Sequence, residues 1–160
     1  MEAAGEPAIE PIRANVTVDA PSERAFELFA ERLGEWWPKE FSWSQDELEA
    51  IGIEPHEGGF AYERGPGGFT IHWGRVTAWD PPTRLVLRWQ IAADRSPQPD
   101  PDKASEVEVR FAEEDGTTRV EVEHRAWERH GDGAQEYREG FERSGAWPYA
   151  LERFAQRASG

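Results

Sequence analysis

The stretch EVEVRFAEEDGTTRVEVEHRA, residues 106–126, alternates apolar and polar side chains on both sides of a turn at residues 113–116. The apolar positions, with one histidine, are Val107, Val109, Phe111, Val120, Val122 and His124. Alternation with a period of two predicts two antiparallel strands with one buried face and one solvated face. Because a sheet with one apolar face needs a covering layer, we expect a hairpin in the sheet of an α+β domain.

Further strand signals lie on the N-terminal side of this hairpin. Glycine supplies positive φ angles and proline fixes φ, so residues 65–68 and 80–82 predict tight turns. Between such turns, strands are predicted at residues 12–19, 48–54, 60–64, 69–79 and 84–91. Together with residues 106–126 they predict a curved antiparallel sheet of about six to seven strands.

Two short helices are predicted after the first strand. Ser22 is expected to cap a helix whose buried side carries Phe26, and Gly34 is expected to end this helix. The sequence Trp36-Trp37-Pro38 then indicates a short, bulky second turn.

The C-terminal segment is predicted to be one long helix. Apolar residues recur there with helical spacing between Tyr137 and Ala158. Pro148 lacks an amide hydrogen, so it must either kink this helix or restart it, and we favour a bend between Ser144 and Pro148. Only this helix is long enough to cover the sheet, and the space where helix and sheet diverge is a natural ligand pocket.

Composition narrows the classes of partner. The chain has 160 residues, 32 of them acidic and 18 basic, with a net charge of -14 and no cysteine. Such acidity argues against binding to nucleic acid or to an anionic membrane, and no apolar run is long enough for membrane insertion. The absence of thiols fits a cytoplasmic protein. We expect a disordered leader at residues 1–11 and a single domain at residues 12–158.

Several short phrases carry a resemblance to a known superfamily. They are VDAPSERAF at 18–26, GEWWP at 34–38, GGF at 58–60, WGRV at 73–76, WDPPTRL at 79–85, TRVEVEH at 118–124 and GAW at 145–147. They resemble the SRPBCC (START-like) superfamily and, within it, the bacterial proteins related to the activator of heat-shock protein 90 ATPase. The resemblance implies a helix-grip fold, in which a curved antiparallel sheet wraps around a long C-terminal helix.

The superfamily includes carriers, sensors, cyclases and chaperone regulators, so the fold alone does not define the function. The leading hypothesis is that the protein, a monomer or homodimer, binds or carries a small hydrophobic or aromatic molecule between sheet and helix. One alternative is a cyclase- or hydrolase-type enzyme that uses His124 or His72. Another is a regulatory protein with a chaperone partner, although the acidic surface offers no specific docking motif.

The eight tryptophans and eight phenylalanines indicate either a heavy core or a lined cavity. The cavity is expected to open near residues 36–43. Its predicted ligand-binding residues are Phe26, Trp37, Trp43, His72, Trp89, Phe111, His124, Trp147 and Leu151.

Which polar groups the cavity contains depends on the orientation of His124 and on that of the strand at residues 69–79. His124 continues the apolar stripe, so it is either a hydrogen-bonded core histidine or a polar anchor or base at the cavity floor. Either face of the strand at residues 69–79 could be the concave one, and this determines whether His72 or Arg75 is a pocket group. We expect Arg75 on the surface. No pair of histidines has the spacing of a zinc site, and we expect no metal, cofactor or catalytic residue.

Overall fold

The predicted sheet is confirmed in a computed structural model that describes residues 9–159. Seven strands form one curled antiparallel sheet in the order β1-β7-β6-β5-β4-β3-β2. They are β1 (Ile12–Val18), β2 (Ala50–Ile53), β3 (Phe60–Arg64), β4 (Thr70–Asp80), β5 (Arg84–Trp89), β6 (Ser105–Glu114) and β7 (Thr117–Arg125). The hairpin of β6 and β7 is the stretch with the strictest alternation, and the edge strand β1 pairs with β7.

The helices follow β1 and β7, as in a helix-grip fold. Helix α1 (Ser22–Phe26) continues into a π-helical turn (Glu27–Glu31), and the C-terminal helices are α2 (Ala134–Ser144) and α3 (Ala146–Ser159). Short 3-10 turns lie at Leu33–Glu35, Lys39–Phe41, Gln45–Glu47, Pro66–Gly68, Pro101–Lys103 and Trp127–His130. None of the described helices is long and apolar enough to cross a membrane.

Ser22 does not cap α1, so this prediction is wrong. The N-cap residue is Pro21, and no side chain of the cap residue bonds the helix. Instead, the backbone N–H and the hydroxyl of Ser22 both donate to Glu113 Oε1 on β6, at 2.8 and 3.1 Å. The helix start is therefore held by a carboxylate from the sheet, which suits the positive end of a helix.

The C-terminal segment forms two helices, which corrects the preference for one bent helix and agrees with the alternative that the helix restarts. The break lies within the expected interval, but Gly145 produces it by adopting a left-handed conformation with φ 68°. Pro148 lies in the first turn of α3, where an amide hydrogen has no partner within the helix, so it causes no kink. Helix α3 covers the sheet with its buried face, which includes Trp147, Leu151 and Phe154.

The predicted leader falls largely outside the described part of the chain, which begins at Ile9. Ile9 is half-buried and packs against the core. Arg138 on α2 donates to the carbonyl oxygens of Glu10 and Pro11, at 2.9 and 3.1 Å. Residues 9–11 are therefore attached to the domain.

The outer face of the sheet contains a buried charge, which corrects the expectation of a uniformly solvated face. Glu108 is only 3% exposed. It accepts hydrogen bonds from Arg84 at 2.7 Å, from Arg110 at 2.9 Å and from Arg125. Burial alone would raise the pKa of Glu108, but these bonds outweigh it and lower the pKa to about 2.

We predict that Glu108→Gln lowers the free energy of unfolding by about 1–2 kcal/mol at neutral pH. The full shift from 4.5 to about 2 corresponds to about 3 kcal/mol, and the partly exposed arginines reduce this by solvent screening. Because the folded-state pKa is lowered, the contribution is present above about pH 4.5 and is lost as the pH falls through about 2.

Urea unfolding at several pH values measures this contribution. Glu121→Gln is the matched control, because Glu121 and its partner Arg119 are each about half exposed, and it should cost well under 1 kcal/mol. Equal losses in the two variants would contradict the prediction.

Candidate functional site

A β-bulge in β4 lies at Trp73, whose side chain faces the space under the sheet. Ala61 pairs with Gly74 and Tyr62 pairs with His72, so Trp73 is the extra residue without a partner on β3. Trp73 is buried, whereas His72 is exposed. The bulge therefore interrupts the alternation of buried and exposed side chains along β4.

The bulge also settles which face of this strand is concave. The ring of His72 stacks on Phe60 on the outer face, with centroids 4.2 Å apart. Arg75 lies beside the same phenylalanine and donates to the Gly58 carbonyl oxygen at 3.1 Å. The expectation that Arg75 lies on the surface is confirmed, and the prediction that His72 lines the cavity is wrong.

An aromatic cavity lies between the inner face of the sheet, the loops at its edge and the two C-terminal helices. Its volume is about 240 Å³, close to the lower end of the ~300–1,000 Å³ range of ligand pockets. Its lining is Trp37, Phe41, Ser42, Trp43, Ile51, Glu63, Trp73, Trp89, Ile91, Ala92, Ala93, Arg95, Tyr137, Phe141, Ser144, Ala146 and Trp147. Indole, phenyl and phenol rings dominate these walls.

Hydrogen bonds hold the rings of the inner wall in place. Trp89 Nε1 donates to the Tyr137 hydroxyl at 3.0 Å, and that hydroxyl donates to the Ile91 carbonyl oxygen at 2.7 Å. Burial raises the pKa of Tyr137 to about 12, so the phenol keeps its proton for this bond at neutral pH. Trp89 also packs edge-on against Trp73, with centroids 5.7 Å apart.

Contacts between two loops hold the rim of the cavity together. Trp43 Nε1 donates to the Arg95 carbonyl oxygen, and Arg95 Nη2 donates to the Phe41 carbonyl oxygen, both at 2.8 Å. The Arg95 guanidinium also lies 5.6 Å from the centre of the Trp43 ring. These contacts join residues 41–43, within the predicted opening, to the loop between β5 and β6.

One acidic side chain reaches the inner wall. Glu63 on β3 is fully buried. Its Oε1 accepts the backbone N–H of Trp43 at 3.1 Å, and its Oε2 accepts the backbone N–H of Ser44 at 2.8 Å. The carboxyl group thus fixes the loop that carries Trp43, and Glu63 is one of the residues that line the cavity.

His124 lies behind the cavity wall and is a hydrogen-bonded core histidine. Trp147 Nε1 donates to His124 Nδ1 at 3.1 Å, and the other ring nitrogen lies 2.8 Å from Ser105 Oγ. Since an indole nitrogen only donates, Nδ1 must be the acceptor and Nε2 must carry the hydrogen. Burial lowers the pKa of His124 well below 6.5, with a smaller contribution from the charge of His130.

The described residues contain no cluster of three histidine, aspartate or glutamate side chains that could hold a metal ion. Nor does a histidine line the cavity in this part of the chain. The structure therefore does not provide the pocket histidine that the enzyme hypothesis required.

Comparison with known families places the chain in one of them. Residues 19–158 match the family of Activator of Hsp90 ATPase homolog 1-like proteins. The chain belongs to this family. The match covers α1 through nearly all of α3, and it confirms the resemblance to this branch of the SRPBCC superfamily.

Solved structures of other proteins show the same fold. The anthrahydroquino-gamma-pyrone synthase Txn09, solved in complex with SUM, is 38% identical, with a TM-score of 0.65 over 93% of this chain and 97% of that chain. The self-sacrificing resistance protein CalC from Micromonospora echinospora is 31% identical, with a TM-score of 0.64 and 94% of each chain covered. The protein NE0264 from Nitrosomonas europaea shares the fold at 14% identity, with a TM-score of 0.63 over 94% of this chain and 95% of that chain. No curated protein matches the chain.

The predicted site residues fall into two groups in this member of the family. Trp37, Trp43, Trp89 and Trp147 come together around the cavity. The other five do not line it, and they are Phe26, His72, Phe111, His124 and Leu151. Phe26 and Phe111 contact each other with centroids 5.2 Å apart, because α1 packs directly on β6 and leaves no space there. Leu151 is buried on α3.

Several lining residues were missed from sequence. Tyr137 and Phe141 carried a usable signal, because they belong to the apolar stripe of α2. Glu63 carried a misleading signal, since the large apolar residues Phe60 and Tyr62 occupy the opposite face of β3 and suggest that face as the buried one. Trp73 lies at the bulge of β4, which the local sequence pattern does not indicate.

Proposed function

We propose that the protein binds a small, planar aromatic molecule in the cavity between the sheet and the C-terminal helices. The observation that carries this proposal is the lining, in which rings from the loop after α1, from β4 and β5, and from both C-terminal helices surround about 240 Å³ of space. Aromatic rings gain from offset or edge-to-face contacts with a flat ligand, in addition to the burial of apolar surface.

The walls are ordered before any ligand arrives. Trp43, Trp89 and Trp147 each donate their indole hydrogen to a protein acceptor, so their rings have fixed orientations. A ligand that enters such a site does not have to order these side chains, which improves affinity. A cavity that merely resulted from loose packing would not require this arrangement.

The related structures support an aromatic ligand. One relative is named for the synthesis of an anthrahydroquino-gamma-pyrone, a fused-ring product, and this chain is 38% identical to it along nearly its whole length. A second candidate function follows from the same relative, namely ring closure on a bound aromatic substrate. Glu63 is the acidic group of the cavity wall that this reaction would have available.

Quenching of tryptophan fluorescence by 9,10-anthraquinone tests the proposed function. We expect one ligand per chain with a micromolar dissociation constant, about -8 kcal/mol. Trp37→Ala should weaken binding about tenfold or more, because it removes one wall of the cavity.

Trp79→Ala is the matched control, since Trp79 packs on Phe26 outside the cavity and its loss should change the dissociation constant by less than about threefold. Absence of binding, or equal loss in both variants, would contradict the proposal. Absence of binding would also favour the chaperone-regulator hypothesis.

A further inference from the structure

We infer that the aromatic ligand carries a ring hydroxyl group, and that Glu63 and Trp73 bind this group together. The inference rests on the proposed function, because it defines the ligand class of the same cavity. It starts from two buried polar groups of the cavity wall whose hydrogen-bonding capacity the protein does not fill.

The first of these groups is the Glu63 carboxyl. Each of its oxygens accepts one backbone N–H, although a carboxylate has about four acceptor sites. No lysine, arginine or histidine within residues 9–159 forms an ion pair with it. Burial of an acidic group without a cation is costly, so a donor from a ligand would be stabilising here.

The second group is the Trp73 indole N–H. Trp73 is 4% exposed, and its Nε1 is buried without a hydrogen-bond partner in the described structure. By contrast, the indole nitrogens of Trp36 and Trp127, which are also buried, each donate to a backbone carbonyl oxygen. Unpaired buried donors are rare in native proteins, and a donor in a cavity wall indicates a missing acceptor.

The two side chains lie on the inner face of two paired strands and line the same cavity. Glu63 on β3 pairs with Ile71 on β4, and Trp73 follows two residues later along the same strand. A hydroxyl group fits both, because its oxygen accepts from Trp73 Nε1 while its hydrogen is donated to Glu63. A ketone or ether oxygen would satisfy only Trp73, and an ammonium group would satisfy only Glu63.

Two other polar side chains of the wall already have partners. Arg95 donates to the Phe41 carbonyl oxygen, and the Tyr137 hydroxyl both accepts from Trp89 and donates to Ile91. Glu63 and Trp73 are the buried polar groups of the wall that keep unfilled hydrogen-bonding capacity. The surrounding rings require that the hydroxyl be attached to a flat, apolar framework.

Calorimetric titration with 2-naphthol and naphthalene tests this inference, because the two probes differ by one hydroxyl group. We expect the protein to bind 2-naphthol at least about tenfold more tightly, the usual effect of a hydrogen bond to a charged group. Glu63→Gln and Trp73→Phe should each reduce this preference to less than about threefold, whereas the affinity for naphthalene should change little.

Two features keep the result decisive. Trp73→Phe keeps an aromatic ring in the wall and removes an unpaired N–H together with part of the indole, so it should fold even if Glu63→Gln does not. Trp79→Phe removes an indole outside the cavity and should retain the preference.

Equal binding of the two probes, or a preference that survives in Trp73→Phe, would overturn the inference and leave the proposed function intact. Failure of both probes to bind would overturn the proposed function itself.

Discussion

Replacement of Phe154 by alanine is expected to lower the free energy of unfolding by about 3–5 kcal/mol, the range for deletion of a buried phenyl ring. Phe154 is fully buried on α3. Its ring lies 5.3 Å from that of Phe29 and 5.2 Å from that of Trp36, measured between centroids. These contacts join α3 to the helical segments after β1, and alanine would leave a void that this ring cluster cannot fill.

The loss would be a large fraction of the total stability of a domain, which is typically about 5–15 kcal/mol. Urea unfolding followed by circular dichroism measures it. Tyr149→Ala is the control on the same helix, because Tyr149 is 40% exposed and its removal should cost about 1 kcal/mol or less. Similar losses in the two variants would show that the buried face of α3 does not hold the fold together.

Most of the sheet could be predicted because the alternation of apolar and polar residues within a strand indicates which side of it is buried. In the hairpin of β6 and β7, Val109 and Val122 pair directly across the ladder, and the apolar side chains beside them all face the helix layer. The bulge at Trp73 could not be predicted in this way. The bulge is a shift in the register between β4 and β3. Register depends on both strands, so the sequence of β4 alone does not indicate it.

The break at Gly145 illustrates the opposite case, in which a local signal was present but was assigned to the wrong residue. Both Gly145 and Pro148 lie in the predicted interval, and proline is the stronger helix breaker in a helix interior. The cost of proline disappears in the first turn of a helix, so the glycine with φ 68° ends α2 and the proline is tolerated in the first turn of α3.

The candidate site was predictable to the extent that it consists of tryptophans on predicted elements. Its polar groups were not, because their burial depends on distant partners. Glu63 is compensated by the backbone of Trp43 and Ser44, roughly twenty positions earlier, and nothing in the local pattern of β3 indicates this. His124 does lie on the apolar face, as predicted, but Trp89 and Trp147 separate it from the cavity.

The burial of His124 leads to a prediction for the pH dependence of stability. The free energy of unfolding should fall as the pH drops below about 6.5, by up to about 1.4 kcal/mol per pH unit for His124 alone. Burial lowers the pKa of His124 in the folded protein, so the unfolded chain takes up a proton that the folded chain refuses. The stability is therefore present above about pH 6.5 and is lost as the pH falls. Burial also lowers the pKa of His130, which contributes in the same direction.

His124→Gln should make this slope shallower, because glutamine does not titrate but still offers an oxygen to Trp147 and an N–H to Ser105. The comparison uses urea unfolding between about pH 8 and pH 5, above the range where Glu108 takes up its proton. The prediction is judged on the slope of the free energy of unfolding against pH and not on its absolute value, because loss of the stacking on Trp127 lowers stability at every pH. His72→Gln, on the exposed outer face, should leave the slope in place.

An unchanged slope in His124→Gln would mean that another group controls the acid sensitivity.

If the slope does become shallower, protonation of His124 should also affect the cavity wall. Protonation of His124 Nδ1 would replace the acceptor of Trp147 Nε1 with a second donor. Aromatic ligands should therefore bind less tightly as the pH approaches the acid unfolding range, and His124→Gln should lose this pH dependence of affinity together with the slope in stability.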